Sequence, residues 1–62
     1  MRDKIIRASG MILGFTNDGK GYIFKPDGMP KLKVYSDNQT FSIGQRIYVV
    51  AKYIMDNEVV TI

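Results

Sequence analysis

Apolar and polar residues alternate along much of this chain with a period of two, the repeat expected of β-strands with one face buried. The first such run covers residues 11–15, Met-Ile-Leu-Gly-Phe, and reaches back toward Ile5 with Gly10 as a bulge or bend. Residues 20–25 follow, with Tyr22 and Phe24 on one side and Gly21 and Ile23 on the other. In residues 31–35, Leu32 and Val34 point one way while Lys31, Lys33 and Tyr35 point the other. The longest run, residues 45–54, sets Ile47, Val49 and Ala51 against Tyr48 and Val50, as suits a central, coiled strand. Residues 58–62 form the last run, reached through a two-residue loop at Asp56-Asn57 that favours a mirror-image turn.

Turn formers separate these runs at Asn17-Asp18-Gly19, Pro26-Asp27-Gly28-Met29-Pro30, Ser36-Asp37-Asn38 and Ile43-Gly44, leaving segments too short for ordinary helices. The pattern predicts an all-β chain: a small five-stranded antiparallel barrel, OB-like, with a Src-homology-like small barrel as the alternative. A chain of 62 residues is expected to form one domain over residues 1–62 around one core. A domain of this size buries roughly 60% of its unfolded surface and gains about 3–5 kcal/mol of stability.

Composition removes the usual supports and most catalytic chemistry. With no Cys and no His, neither a disulfide nor the commonest zinc ligands are available, and the absence of Cys fits a cytoplasmic location. The longest apolar run, Tyr48-Val49-Val50-Ala51, is far short of the roughly 20 residues of a membrane helix, so no membrane association is expected. The first residues, Met1-Arg2-Asp3-Lys4, lead into no apolar stretch of signal-peptide length and read as part of the mature protein. The six carboxylates, Asp3, Asp18, Asp27, Asp37, Asp56 and Glu58, fall mostly in turns, where side-chain to backbone hydrogen bonds account for them. Gly19-Lys20-Gly21 lacks the Ser or Thr and the following helix of a phosphate loop. No enzymatic activity, cofactor or metal is expected.

What remains is a basic and aromatic constellation. Nine Lys and Arg against six Asp and Glu give a net charge of +3, and Lys20, Lys25, Lys31 and Lys33 cluster around a single acid, Asp27. Rings projecting from a rigid sheet stack on bases at about 1–3 kcal/mol each, while lysines track phosphates with little regard to sequence. Lys20, Tyr22, Phe24, Lys25, Lys33 and Tyr35 are the candidate contacts for single-stranded RNA or DNA. The competing reading puts Tyr22 and Phe24 in the barrel core, at the cost of an apolar Ile23 on a largely polar face. Phe41, Tyr48 and Tyr53 read as packing or rim residues.

Residues 10–28 resemble the cold-shock domain family of OB-fold barrels, whose first hairpin runs roughly Gly-x-Val-x-Trp-Phe-Asn, an acidic turn, then Lys-Gly-Phe-Gly-Phe-Ile. The counterparts are Gly10, Ile12, Phe15, Lys20, Gly21, Tyr22 and Phe24, and residues 41–47 are similar to the family's entry into its fourth strand. The resemblance implies binding of single-stranded RNA and DNA through the aromatic face of the second and third strands, with Tyr22 and Phe24 in that role. Gly14 stands where the family has an exposed Trp, Ile23 replaces the Gly between its aromatics, and only Tyr35 keeps a ring in the third strand. Fewer rings imply weaker binding of low sequence preference.

The same barrel could instead recognise a protein, as a subunit, adaptor or inhibitor of a larger complex, and assembly into a homo-oligomer is compatible with either role. If residues 58–62 complete the barrel, a chain truncated after Asn57 does not fold. Thermal denaturation of that chain by circular dichroism is the check, and a cooperative melt would contradict it.

Overall fold

The computed structural model of the protein describes residues 4–37 and 40–62, so Asn38 of the expected Ser36-Asp37-Asn38 turn and residues 1–3 lie outside the described residues. Five strands, β1 (Ile5–Phe15), β2 (Gly21–Pro26), β3 (Leu32–Tyr35), β4 (Arg46–Met55) and β5 (Glu58–Thr61), close into a barrel in the order β1-β2-β3-β5-β4, with β4 returning to β1. No helix occurs among the described residues, and so none is long and apolar enough to cross a membrane. The fold is the expected all-β, OB-like small barrel, with one correction to its pairing. Four strand pairs are antiparallel, but β3 and β5 run parallel through Lys33–Glu58, Val34–Val59 and Tyr35–Val60. Closure demands this, because β4 and β5 form a hairpin whose second arm must meet β3 in the same direction.

β1 holds the wall together by pairing on both sides. Its residues 5–11 pair with β4 and its residues 10–15 with β2, so that Gly10 and Met11 are shared between the two partners. At the crossing point the β2 backbone lies so close to Gly10 that a Cβ would meet the Lys25 carbonyl oxygen, and only glycine fits. Gly10 is therefore a close-approach residue and not the bulge. The bulge falls at Leu13, where the register passes from Ile12–Phe24 to Gly14–Ile23. A second irregularity, between Tyr53 and Met55, provides twist at the β4–β5 hairpin. The Asp56-Asn57 loop accordingly needs no mirror-image turn, and neither residue has a positive φ.

The interior is filled by the inward set of each strand: Ile6 and Ile12 from β1, Tyr22 and Phe24 from β2, Leu32 and Val34 from β3, Val49 and Ala51 from β4 and Val59 from β5. Ala8, Met29, Phe41, Ile47 and Tyr53 pack against this cluster from its margins. Phe41 makes an edge-to-face contact with Tyr22 at 5.5 Å between ring centres and 76° between planes. Phe41 and Tyr53 are packing residues as expected, whereas Tyr48 is 62% exposed on the outer wall.

Truncating a buried Phe to Ala costs about 3–5 kcal/mol, comparable to the whole stability of about 3–5 kcal/mol that a domain of this size can reach. Phe24→Ala is thus expected to be largely unfolded at room temperature, while Ile23→Ser, on the opposite side of the same strand, shifts stability by less than about 1 kcal/mol. Urea denaturation of the two variants checks the difference.

Candidate nucleic-acid interface

The expected contact residues do not all lie on one surface. Tyr22 is 2% exposed and Phe24 is fully buried, and both point into the barrel among Ile12, Val34 and Val59. This corrects their expected role in stacking: neither ring can reach a base. The physical reason lies in the strand itself. Tyr22, Phe24 and Pro26 are the bulky members of β2 and occupy alternate, buried positions, whereas Ile23 and Lys25 take the outer side. The polar neighbours of Ile23 do not prevent this, since one half-buried aliphatic on an outer face costs far less than two exposed rings and an empty interior.

The outer face of β2 and β3 keeps the cationic half of the constellation. Lys25 is exposed beside Met11 of β1, and Lys33 stands opposite Ile23 of β2 on one side and Glu58 of β5 on the other. Lys20 and Lys31 are exposed just before β2 and β3. Tyr35 is half-buried and tethered. Its hydroxyl donates to Glu58 Oε1 at 3.2 Å, and Lys33 Nζ lies 5.9 Å from its ring centre, so one edge and one face are already engaged. Tyr35 supports the lysine and is not an open platform.

A residue that sequence reasoning did not single out as a contact supplies the exposed ring. Phe15, at the end of β1 and 39% exposed, lines a shallow depression of about 330 Å³ with Thr16, Asn17, Asp18, Ile23 and Lys33. It belongs to the outward set of β1: exposed residues alternate with less exposed ones without interruption from Ile5 to Phe15, so Met11, Leu13 and Phe15 all face outward. Beside them, Gly14 is paired with Ile23, and a Cβ at Gly14 would meet nothing within 4 Å, so this stretch of the wall is open above its backbone. A second depression, of about 520 Å³, lies on the far side of the same hairpin loop between Lys20, Tyr35, Ser36 and Thr61.

The loop between the depressions is firmly built. Gly19 adopts φ +73°, as the Asn17-Asp18-Gly19 turn requires. The Thr16 hydroxyl donates to Asp18 Oδ1 at 2.7 Å, the Lys20 amide donates to the same oxygen at 3.0 Å, and the Gly21 amide donates to Thr16 Oγ1 at 3.1 Å. The Thr16 hydrogen bond, then that from the Lys20 amide, holds the Asp18 carboxyl below its ordinary range, with the charges of Lys20 and Lys33 adding to the effect. Asp27, across the barrel end, is lowered by its 2.6 Å contact with Arg46, the one salt bridge among the described residues. The acids nearest the lysine face are therefore already occupied: Asp18 by its loop, Glu58 by Tyr35 and Asp27 by Arg46. No group of three or more metal-ligating side chains occurs among the described residues.

Burial pushes the Tyr22 hydroxyl above the ordinary tyrosine value of 10.0. Because the folded state holds this proton more tightly, full stability is kept below that pH and is lost as the pH rises through the raised value. Following tyrosinate absorbance during alkaline titration, we expect one late step coincident with unfolding, which Tyr22→Phe removes. A curve unchanged by that substitution would mean that the ring is solvated.

Comparison with protein families, with curated proteins and with solved structures finds no match to this chain.

Proposed function

We propose that the protein is a non-catalytic binding module for single-stranded nucleic acid, held on the outer face of β2 and β3 and by the β1–β2 loop. One observation carries this reading: Lys33 lines an apolar trough with Phe15 and Ile23, Lys20, Lys25 and Lys31 are exposed on or beside β2 and β3, and the neighbouring carboxylates of Asp18 and Glu58 are hydrogen-bonded within the fold. The lysines supply phosphate contacts, and the trough accepts the flat face of a base against Phe15. In OB-type barrels the face of the second and third strands, with the loop between the first two, is where oligonucleotides and oligosaccharides bind. The excess of positive charge here, four lysines against Asp18 and Glu58, favours a polyanion.

With one exposed ring in place of two or three, stacking contributes about 1–3 kcal/mol and electrostatics dominates. Binding is weak, tolerant of sequence and strongly dependent on salt. The resemblance to cold-shock domains supports the same ligand class through a different set of side chains, since the ring contributed here comes from β1.

Anisotropy of a fluorescent oligo-pyrimidine, titrated at several ionic strengths, tests the proposal. We expect log Kd against log salt to follow a slope of about 2–3 in magnitude, for three or four phosphate contacts to a single strand. Lys20→Gln with Lys33→Gln lowers both affinity and slope, and Phe15→Ala weakens binding about tenfold or more. Gly14→Trp, adding a ring where a side chain meets open space, strengthens binding by a similar factor. A response flat in salt, or no binding at low salt, overturns the reading.

A further inference from the structure

Val59 of β5 is fully buried in the core, so the barrel needs this strand in order to close. Nothing in the packing requires that the strand come from the same chain. β5 is also weakly tied to the rest of the wall. It is four residues long, against eleven for β1 and ten for β4, it meets β3 through Lys33, Val34 and Tyr35, and the Asp56-Asn57 loop alone links it to the preceding strands.

That loop is poorly suited to holding the hairpin shut. A two-residue hairpin loop matches the twist of its strands best as a mirror-image turn, which needs positive φ, and neither Asp56 nor Asn57 has it. Negative φ is shared with an extended strand, so the loop straightens into the line of β4 mainly by rotation about ψ. The residues leading into it suit a straightened form as well. Ile54 and Met55 are consecutive and both exposed, whereas on a regular strand of the wall one of two neighbours faces inward. The closed barrel thus leaves two large apolar side chains in water beside the loop.

We propose that the barrel exchanges β5 with a second copy of the chain: the Asp56-Asn57 hinge opens, β4 runs straight on into β5, and each β5 enters the other copy between its β3 and β4. Every pairing of the closed barrel is remade across the two chains. The two hinges pass one another about a two-fold axis, where Ile54 and Met55 of each meet their equivalents, a contact that the closed form lacks. The exchange also changes what builds the lysine face. Glu58, which stands opposite Lys33 and accepts a hydrogen bond from Tyr35, then comes from the second copy, and one assembly carries two such faces. None of this depends on which ligand that face binds.

The test refolds the full chain from urea at micromolar and at millimolar concentration and separates the products by sedimentation velocity. We expect a dimer whose share rises with concentration during refolding and which persists on dilution, because exchange back requires a barrel to open. Cysteines at paired positions of the seam, Lys33→Cys with Glu58→Cys, then read its connectivity: the oxidised dimer runs as two linked chains on a denaturing gel and the oxidised monomer as one. A second pair, Tyr35→Cys with Val60→Cys, reads the same seam independently. Asp56→Asn with Asn57→Gly, which supplies residues tolerant of positive φ, lowers the dimer share by about tenfold or more. A chain that stays monomeric at every concentration overturns the proposal. So does an oxidised dimer that separates into single chains on the gel, a dimer that dissociates at once on dilution, or a dimer share unchanged by the loop substitution.

Discussion

A closed wall of five short strands encloses room for one layer of side chains, and the filling of that layer governs everything outside it. β2 contributes the two largest members, Tyr22 and Phe24, which lie almost without solvent contact between residues of β1, β3 and β5. Without Cys for a disulfide or Cys and His for a structural zinc site, the apolar area of nine buried core residues must offset most of the conformational entropy of 62. A face is available for function only when the core has no use for its residues. On β2 that rule leaves Ile23 and Lys25, and it moves the exposed ring to the end of β1.

The strands, their boundaries and most of their inward faces were legible in the sequence because they rest on local signals. Leu32 and Val34 alternate with Lys31, Lys33 and Tyr35, Val49 and Ala51 with Tyr48, Val50 and Lys52, and each pair is buried as that alternation predicts. Turn residues mark the breaks, with Gly19, Gly28 and Gly44 all at positive φ. What local pattern does not carry is register across strands. The parallel pairing of β3 with β5 links positions some twenty-five residues apart, and no run of residues announces it.

The site was harder to read for a related reason. In β2 both faces contain apolar side chains, so period two gives the alternation but not its sign. The decision belongs to volume: two rings and a proline fill the interior better than Ile23 with Gly21 and Lys25 could. Gly21 in fact has no room for a side chain, since a Cβ there would meet the Val34 carbonyl oxygen. The outward position of Phe15 follows from the alternation of β1, in phase with Met11 and Leu13; what that alternation does not carry is that Phe15 comes to lie beside Ile23 and Lys33. The lysines were easier, because a charged residue beside a buried strand position has one place to go.

The parallel seam between β3 and β5 also bears on how the chain is made. Hairpins such as β1–β2 and β2–β3 form between neighbours in sequence, but the seam joins residues 33–35 to residues 58–60 and cannot form until the latter have left the ribosome. Until then the nascent chain presents a three-stranded meander with β3 as a bare edge, its inner face open to solvent. The residues of β5 therefore act as a latch, and a ribosome stalled shortly before them would hold a sheet primed to pair with the wrong neighbour.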